Sequence, residues 1–152
     1  MTIDTIDYLK RIVRKYKLIN RSSTIIFATF SWYQNGKRMP RNGMIDSMLS
    51  FFVPKAKTFI LLDQPHPISD TIHPVVEVYK RGTLRKKFRV SPFLYLPVYL
   101  YCRLERHGLT RISYKLRDFF SVFIVAFTRY EKYDLFVGLE AINALAGILL
   151  KK

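Results

Sequence analysis

The stretch YDLFVGLEAINALAGILLKK, residues 133–152, runs a strand-like segment straight into a helical one. YDLFVGL has the apolar and aromatic character of a buried strand, and EAINALAGILL follows with no charge between Glu140 and Lys151. A helix that is apolar around most of its circumference belongs inside a larger structure. In an alternating β/α fold, a helix that leaves a strand crosses over to a further parallel strand. The sequence therefore reads as the first half of a doubly wound α/β domain, interrupted where the next strand is due.

Working back along the chain, the same alternation recurs. TIIFATF (24–30) is β-branched, aromatic and uncharged, as a buried strand would be. A polar loop, SWYQNGKRMPRNG, leads into MIDSMLSFF, which reads as a short helix, and KTFILLD (57–63) is a second buried strand. Strand, loop, helix, strand is the βαβ unit of a parallel sheet, whose ligands gather at the carboxyl ends of the strands. QPHPISDTIHP then predicts an extended, proline-held loop. VVEVYKRGTLRKKFRV is strand-like on both sides of Arg81 and Gly82, a hairpin or an irregular excursion. PFLYLPVYLYCRLERHG reads as helical despite Pro97, and SYKLRDFFSVFIVAFTRYEKY as a buried helix with charged ends. Ahead of all this, residues 5–19 place Ile6, Leu9, Ile12, Val13, Tyr16 and Ile19 on one side of a helix, with Lys10, Arg11, Arg14, Lys15 and Lys17 on the other. That division gives a basic amphipathic helix over 1–20 and an α/β domain over 21–152. The helix either docks its apolar stripe on the domain or lies on an anionic bilayer.

With 26 Lys and Arg against 11 acids the chain carries a formal net charge of +15, which favours an anionic partner. The single cysteine, Cys102, excludes an internal disulfide and suits a reducing, cytoplasmic compartment. The longest apolar runs, Phe119–Phe127 and Phe93–Cys102, are roughly half of the ~20 residues a membrane helix needs. No spanning segment is expected, and peripheral attachment to the inner membrane face is the membrane option left.

Three stretches resemble the amino-terminal portion of GT-B-type glycosyltransferases of the group 1, or family 4-like, class. They are WYQNGKRMPRNGMIDSMLSFFVPKAKTFILLDQPHPISD (32–70), KLRDFFSVF (115–123) and the 133–152 stretch. The resemblance implies an incomplete Rossmann-like domain, mostly parallel, that carries acceptor contacts. It also implies that the nucleotide-sugar donor is bound by a second domain absent from this chain, so that the fragment is inactive alone unless a second polypeptide supplies that domain. Members of the class do not generally need a bound metal, and neither a metal nor a cofactor is expected.

Candidate contacts follow from position. Asn35, Gly36, Lys37, Arg38, Arg41, Asn42 and Gly43 follow the first strand and lead into a helix, where free N–H groups and basic side chains suit the phosphate of an acceptor or lipid carrier. A solvated basic loop reads equally well, and the G-x-G-x-x-G fingerprint of a dinucleotide site is missing. Asp63 ends the second strand as a cleft-lining acid, and His66 and Asp70 lie just beyond it. Glu140 and Asn143 open the last helix, suited to sugar hydroxyls or to stabilising the helix end. No residue is assigned as catalytic, and His66, Asp70 and His73 make a poor metal set among prolines. Two other readings stand beside the enzyme: a non-enzymatic basic protein that binds nucleic acid or an anionic membrane, and an interaction subunit completed by a partner chain. Nucleic acid is disfavoured, because the basic residues are dispersed and form no recognised motif.

Overall fold

The computed structural model of the chain describes residues 3–39, 44–91, 93, 110–129 and 132–150. The helix expected over 92–108, with Cys102, falls mostly outside them, as do Arg41, Asn42 and Gly43. The described elements are α1 (Ile3–Lys15), β1 (Thr24–Ser31), β2 (Tyr33–Gln34), β3 (Lys37–Arg38), α2 (Met44–Phe52), β4 (Thr58–Pro65), β5 (Val75–Lys80), β6 (Thr83–Arg89), α3 (Thr110–Arg129), β7 (Leu135–Gly138) and α4 (Ala141–Leu150).

Five strands form one sheet in the order β6-β5-β4-β1-β7. β1 pairs in parallel with β4 on one side and β7 on the other, while β5 and β6 join as antiparallel neighbours. The sheet is thus mixed, with four of its strands pointing one way and β5 the other. The 75–90 segment is a hairpin, turning at Arg81 and Gly82 through positive φ. Antiparallel strands need only such a tight turn, whereas each parallel neighbour requires a crossover.

Strand alternation sorts the core into two layers. Ile25, Phe27, Phe59 and Leu61 face one way and pack with Val13 of α1 and Met48, Phe51 and Phe52 of α2. Ile26, Ala28, Ile60 and Leu62 face the other and pack with Val122, Val125 and Ala126 of α3 and Ala146 of α4. Both faces of β1 and β4 are covered, which is why residues 25–28 and 59–62 are continuous apolar runs rather than alternating ones. Phe27, Phe52 and Phe59 sit 5.9–6.1 Å apart, centroid to centroid, and such ring pairs add about 0.5–1.5 kcal/mol each beyond their buried area.

The first helix settles one of the two options left by the sequence. Val13 is buried and Leu9 and Ile19 pack on the same cluster, so this part of the stripe is spent on the domain, whereas Tyr16, expected on the same side, is exposed. The last helix is only partly enclosed: Ala146 is buried, but Leu145, Ile148 and Leu149 are exposed. Among the described residues the outer edge of β7 has no strand beside it. No described helix is long and apolar enough to cross a membrane.

The turn from β7 into α4 depends on close approach. A Cβ on Gly138 would lie 2.5 Å from the Ala144 nitrogen and 2.7 Å from the Asn143 carbonyl carbon. Both are backbone atoms and cannot rotate aside. Gly138→Ala is expected to lower unfolding free energy by about 1–3 kcal/mol, as overpacking does; a urea midpoint equal to that of the parent would show that α4 does not sit this close to the strand.

Candidate functional site

Polar side chains interrupt the apolar core at the carboxyl ends of β1 and β4. On the α1–α2 face these are Thr29, Ser31 and Asp63, all buried, with Thr29 in register with Asp63. Asp63 has no measurable exposure, so its charge must be met from within the protein. Arg38 Nε donates to Asp63 Oδ2 at 2.7 Å and the Tyr33 hydroxyl donates to the same oxygen at 2.7 Å. Arg38 reaches further, donating through a second nitrogen to Glu77 Oε1 at 3.0 Å. Lys87 lies 2.9 Å from that oxygen, and the Tyr79 hydroxyl donates to Glu77 Oε2 at 2.8 Å.

These contacts set the proton affinities. Burial pushes the Asp63 carboxyl up, against the opposing pull of Arg38, Tyr33 and Ser31. Burial also works against ionised Glu77, but Arg38, Lys87 and Tyr79 outweigh it and hold that carboxyl below its usual range. Asp63 Oδ1, Ser31 Oγ and Thr29 Oγ1 are buried without a well-formed hydrogen bond. Ser31 lies close enough to lower the Asp63 pKa, yet its hydroxyl and the carboxylate do not meet in bonding geometry.

The basic loop takes a form the sequence reading did not foresee. Asn35 and Gly36 both have positive φ and form the tip of the β2–β3 ribbon, with Tyr33 paired to Arg38 and Gln34 to Lys37. Asn-Gly is the preferred pair for such a turn, and this was the overlooked signal. These residues are therefore not the free N–H groups of a helix start. Gly36 N–H donates to Asp70 Oδ2 at 3.2 Å, Tyr33 N–H to Ser69 Oγ at 2.9 Å and Asp70 N–H to the Tyr33 carbonyl at 3.2 Å. Asp70 thus pins the ribbon to the loop after β4. Asn35 and Lys37 are exposed, while Arg38 is directed inward. His66 stays at the end of β4, its N–H donating to the Ser31 carbonyl at 2.8 Å and its ring 6.1 Å from that of Phe30.

A second polar cluster lies on the opposite face of the same strand ends. Arg117 of α3 is almost fully buried, donating to the Pro65 carbonyl at 2.6 Å, to the Ile72 carbonyl at 3.4 Å and to Asp118 Oδ1 at 2.9 Å through Nε. It holds the loop after β4 against α3. The Ser121 hydroxyl donates to Gln64 Oε1 at 3.1 Å. Burial, only partly countered by Arg117 and reinforced by Glu140, pushes the Asp118 carboxyl up to about 6. Glu140 in turn lies 3.6 Å from Lys115. Asn143, one turn into α4, is 1% exposed, and both its amide nitrogen and oxygen lack a hydrogen-bond partner.

The topology explains why these groups share one end of the sheet. β1 is followed by α2 on one face, and its neighbour β7 by α4 on the other. Adjacent parallel strands whose helices leave on opposite faces open a crevice at their carboxyl ends. Asp63, Glu140 and Asn143 were legible by their position at strand ends. Tyr33, Glu77, Arg117, Asp118 and Ser121 were not singled out, although a glutamate inside the apolar run VVEVYK was a signal. Among the described residues no three of His, Cys, Asp or Glu converge to hold a metal ion. No family model, curated protein or solved structure matches this chain.

Removing Arg38 leaves Asp63 and Glu77 short of a cation. Arg38→Ala is expected to cost about 3 kcal/mol of stability, with Arg38→Lys recovering only part; an unchanged urea midpoint for Arg38→Ala would show that the pairing does not hold the ribbon down.

The Asp118 carboxyl has the opposite sign. Its folded pKa of about 6 exceeds its ordinary value of 3.8, so between these limits the folded state binds the proton and the unfolded state does not. Its ionisation therefore lowers stability as pH rises from about 4 to about 6, by an amount on the order of 2–3 kcal/mol. Glu77, with its lowered pKa, acts in reverse, losing stability as pH falls. Subtracting the stability curve of Asp118→Asn from that of the parent should isolate the downward slope; a flat difference across this window would rule it out.

Proposed function

We propose that this chain is the acceptor-side, amino-terminal part of a GT-B-type glycosyltransferase. In this reading its sheet is the first portion of a Rossmann-like domain, and transfer of a sugar from a nucleotide donor to an acceptor hydroxyl requires a donor-binding domain working with it. A second polypeptide carrying that domain is one form such an assembly takes. The observation that carries the reading is Asn143: a buried amide, with neither end partnered, in the helix that leaves the carboxyl end of β7 beside β1. A buried polar group left unpaired costs about 1–3 kcal/mol. Hydroxyl-rich ligands supply the donors and acceptors such an amide lacks, and Ser31, Asp118 and Glu140 offer further polar groups at the same end of the sheet.

Asp118 lies at the same end of the sheet with its proton affinity raised by burial, its carboxylate held by Arg117. The phosphate of a lipid-linked acceptor would meet Lys37, exposed at the ribbon tip, rather than Arg38, whose guanidinium is engaged by Asp63 and Glu77.

Titrating the full chain with free oligosaccharides and with polyprenyl-phosphate-linked sugars, while following the Asn143 side-chain amide by NMR, tests the assignment. The expected result is a shift of that amide with an acceptor glycan and none with a nucleotide sugar alone. Asn143→Leu should weaken glycan binding at least tenfold by calorimetry while leaving stability unchanged or raising it by about 1 kcal/mol, since an unpaired polar group gives way to an apolar one of similar size. An amide indifferent to every glycan, or a destabilised leucine variant, would refute the acceptor-site reading.

A further inference from the structure

We propose that the outward side of α1 is a docking surface for an anionic lipid bilayer, bound through charge and interfacial tyrosines rather than through the helix's apolar stripe. The stripe is unavailable, because Leu9 and Val13 pack on the α1–α2 core layer. What remains outward is basic. Lys10, Arg11, Arg14 and Lys15, with Asp7 the one acid among them, line an open groove of about 610 Å³.

Cations from two sides converge beside this groove. Lys10 Nζ and Arg14 Cζ of α1 lie 5.9 and 5.3 Å from the centroid of the Phe51 ring, and Lys55 Nζ, from the segment after α2, lies 4.3 Å from it. Two of the three are held by hydrogen bonds: Lys10 donates to Ser47 Oγ at 2.6 Å, with Asp7 3.8 Å away, and Lys55 donates to the Phe51 carbonyl at 3.1 Å. Positive charge is thereby fixed over a small area, and like charges so arranged are relieved by a surface of opposite sign. Charge complementarity therefore selects an anionic partner.

The aromatic residues select lipid over nucleic acid. Tyr8, midway along the helix, and Tyr16, immediately after its last residue, are each 61% exposed, with Leu18 exposed just beyond. Tyrosine rests well at the level of lipid headgroups, ring toward the acyl chains and hydroxyl in water. Base stacking works best on an uncovered ring, and Lys15 Nζ lies over one face of Tyr16 at 5.3 Å. A juxtamembrane cation contributes roughly a fivefold gain in affinity for an acidic bilayer, fading within a Debye length.

The experiment is flotation of the full chain with phosphatidylcholine vesicles, with and without phosphatidylglycerol, at rising salt. Binding is expected only with the anionic lipid and should weaken with salt. Arg11→Ala with Lys15→Ala should reduce affinity about 25-fold. The equal-charge control on the basic edge strand β6, Arg85→Ala with Lys86→Ala, should change it less than about fivefold. Tyr8→Ser with Tyr16→Ser should weaken vesicle binding while leaving retention on heparin unchanged. All these positions are exposed, and matched urea midpoints confirm that the variants fold. The proposal is overturned by absence of binding to anionic vesicles, by equal loss from the α1 and β6 pairs, or by duplex RNA displacing the protein from vesicles through the same α1 residues.

Discussion

A carboxylate with no contact with water has to be neutralised by the protein around it, and Asp63 imposes that requirement at the carboxyl end of β4. Arg38 meets it from the far side of the β2–β3 ribbon and in doing so reaches Glu77 on β5. One guanidinium thus ties together the ribbon, a central parallel strand and the antiparallel hairpin. Tyr33 adds a hydroxyl bond to Asp63, and Tyr79 and Lys87 complete the shell around Glu77. Leaving either carboxylate unpaired in this environment would cost several kcal/mol. The position of the basic ribbon is therefore dictated by charge.

The same requirement acts on the other face through Arg117. Its guanidinium takes carbonyls from Pro65 and Ile72, which secures the proline-rich loop after β4 against α3 and leaves Asp118 beside it with a raised proton affinity. At the same end of the sheet four buried groups have atoms without a hydrogen-bond partner: Thr29 Oγ1, Ser31 Oγ, Asp63 Oδ1 and the Asn143 amide. Buried polar atoms are nearly always paired, so a concentration of exceptions where parallel strands end is informative. It is also where an α/β sheet with helices leaving on opposite faces presents its crevice.

Parts of this were visible from composition and spacing. The run 24–30 is uncharged and β-branched, and 57–63 holds a continuous apolar centre between Lys57 and Asp63, so that two-sided burial is their natural reading; they are β1 and β4 in parallel register. Residues 135–150 form β7 and then α4, the strand-to-helix order the sequence suggests, although Leu145, Ile148 and Leu149 of that helix are exposed. Asp63, Glu140 and Asn143 could be marked because strand ends are countable in a sequence. The ribbon was missed because its Asn-Gly turn was read as the approach to a helix, and its arginine as a surface charge. Arg117 and Asp118 gave little warning, since the Pro65 carbonyl that holds Arg117 lies 52 residues away in the chain.

By itself the sequence determined the alternation of strands and helices, the amphipathic character of α1 and the strongly positive charge, because periodicity and composition are local properties. Tertiary structure decided which cations are free and which are consumed. Arg38 and Arg117 are drawn inward by carboxylates and carbonyls distant in the chain, whereas Arg11 and Lys15 remain on the surface because the opposite side of their helix is buried. The reason is physical: the fate of a charge depends on the dielectric and the partners around it, and folding alone assembles both.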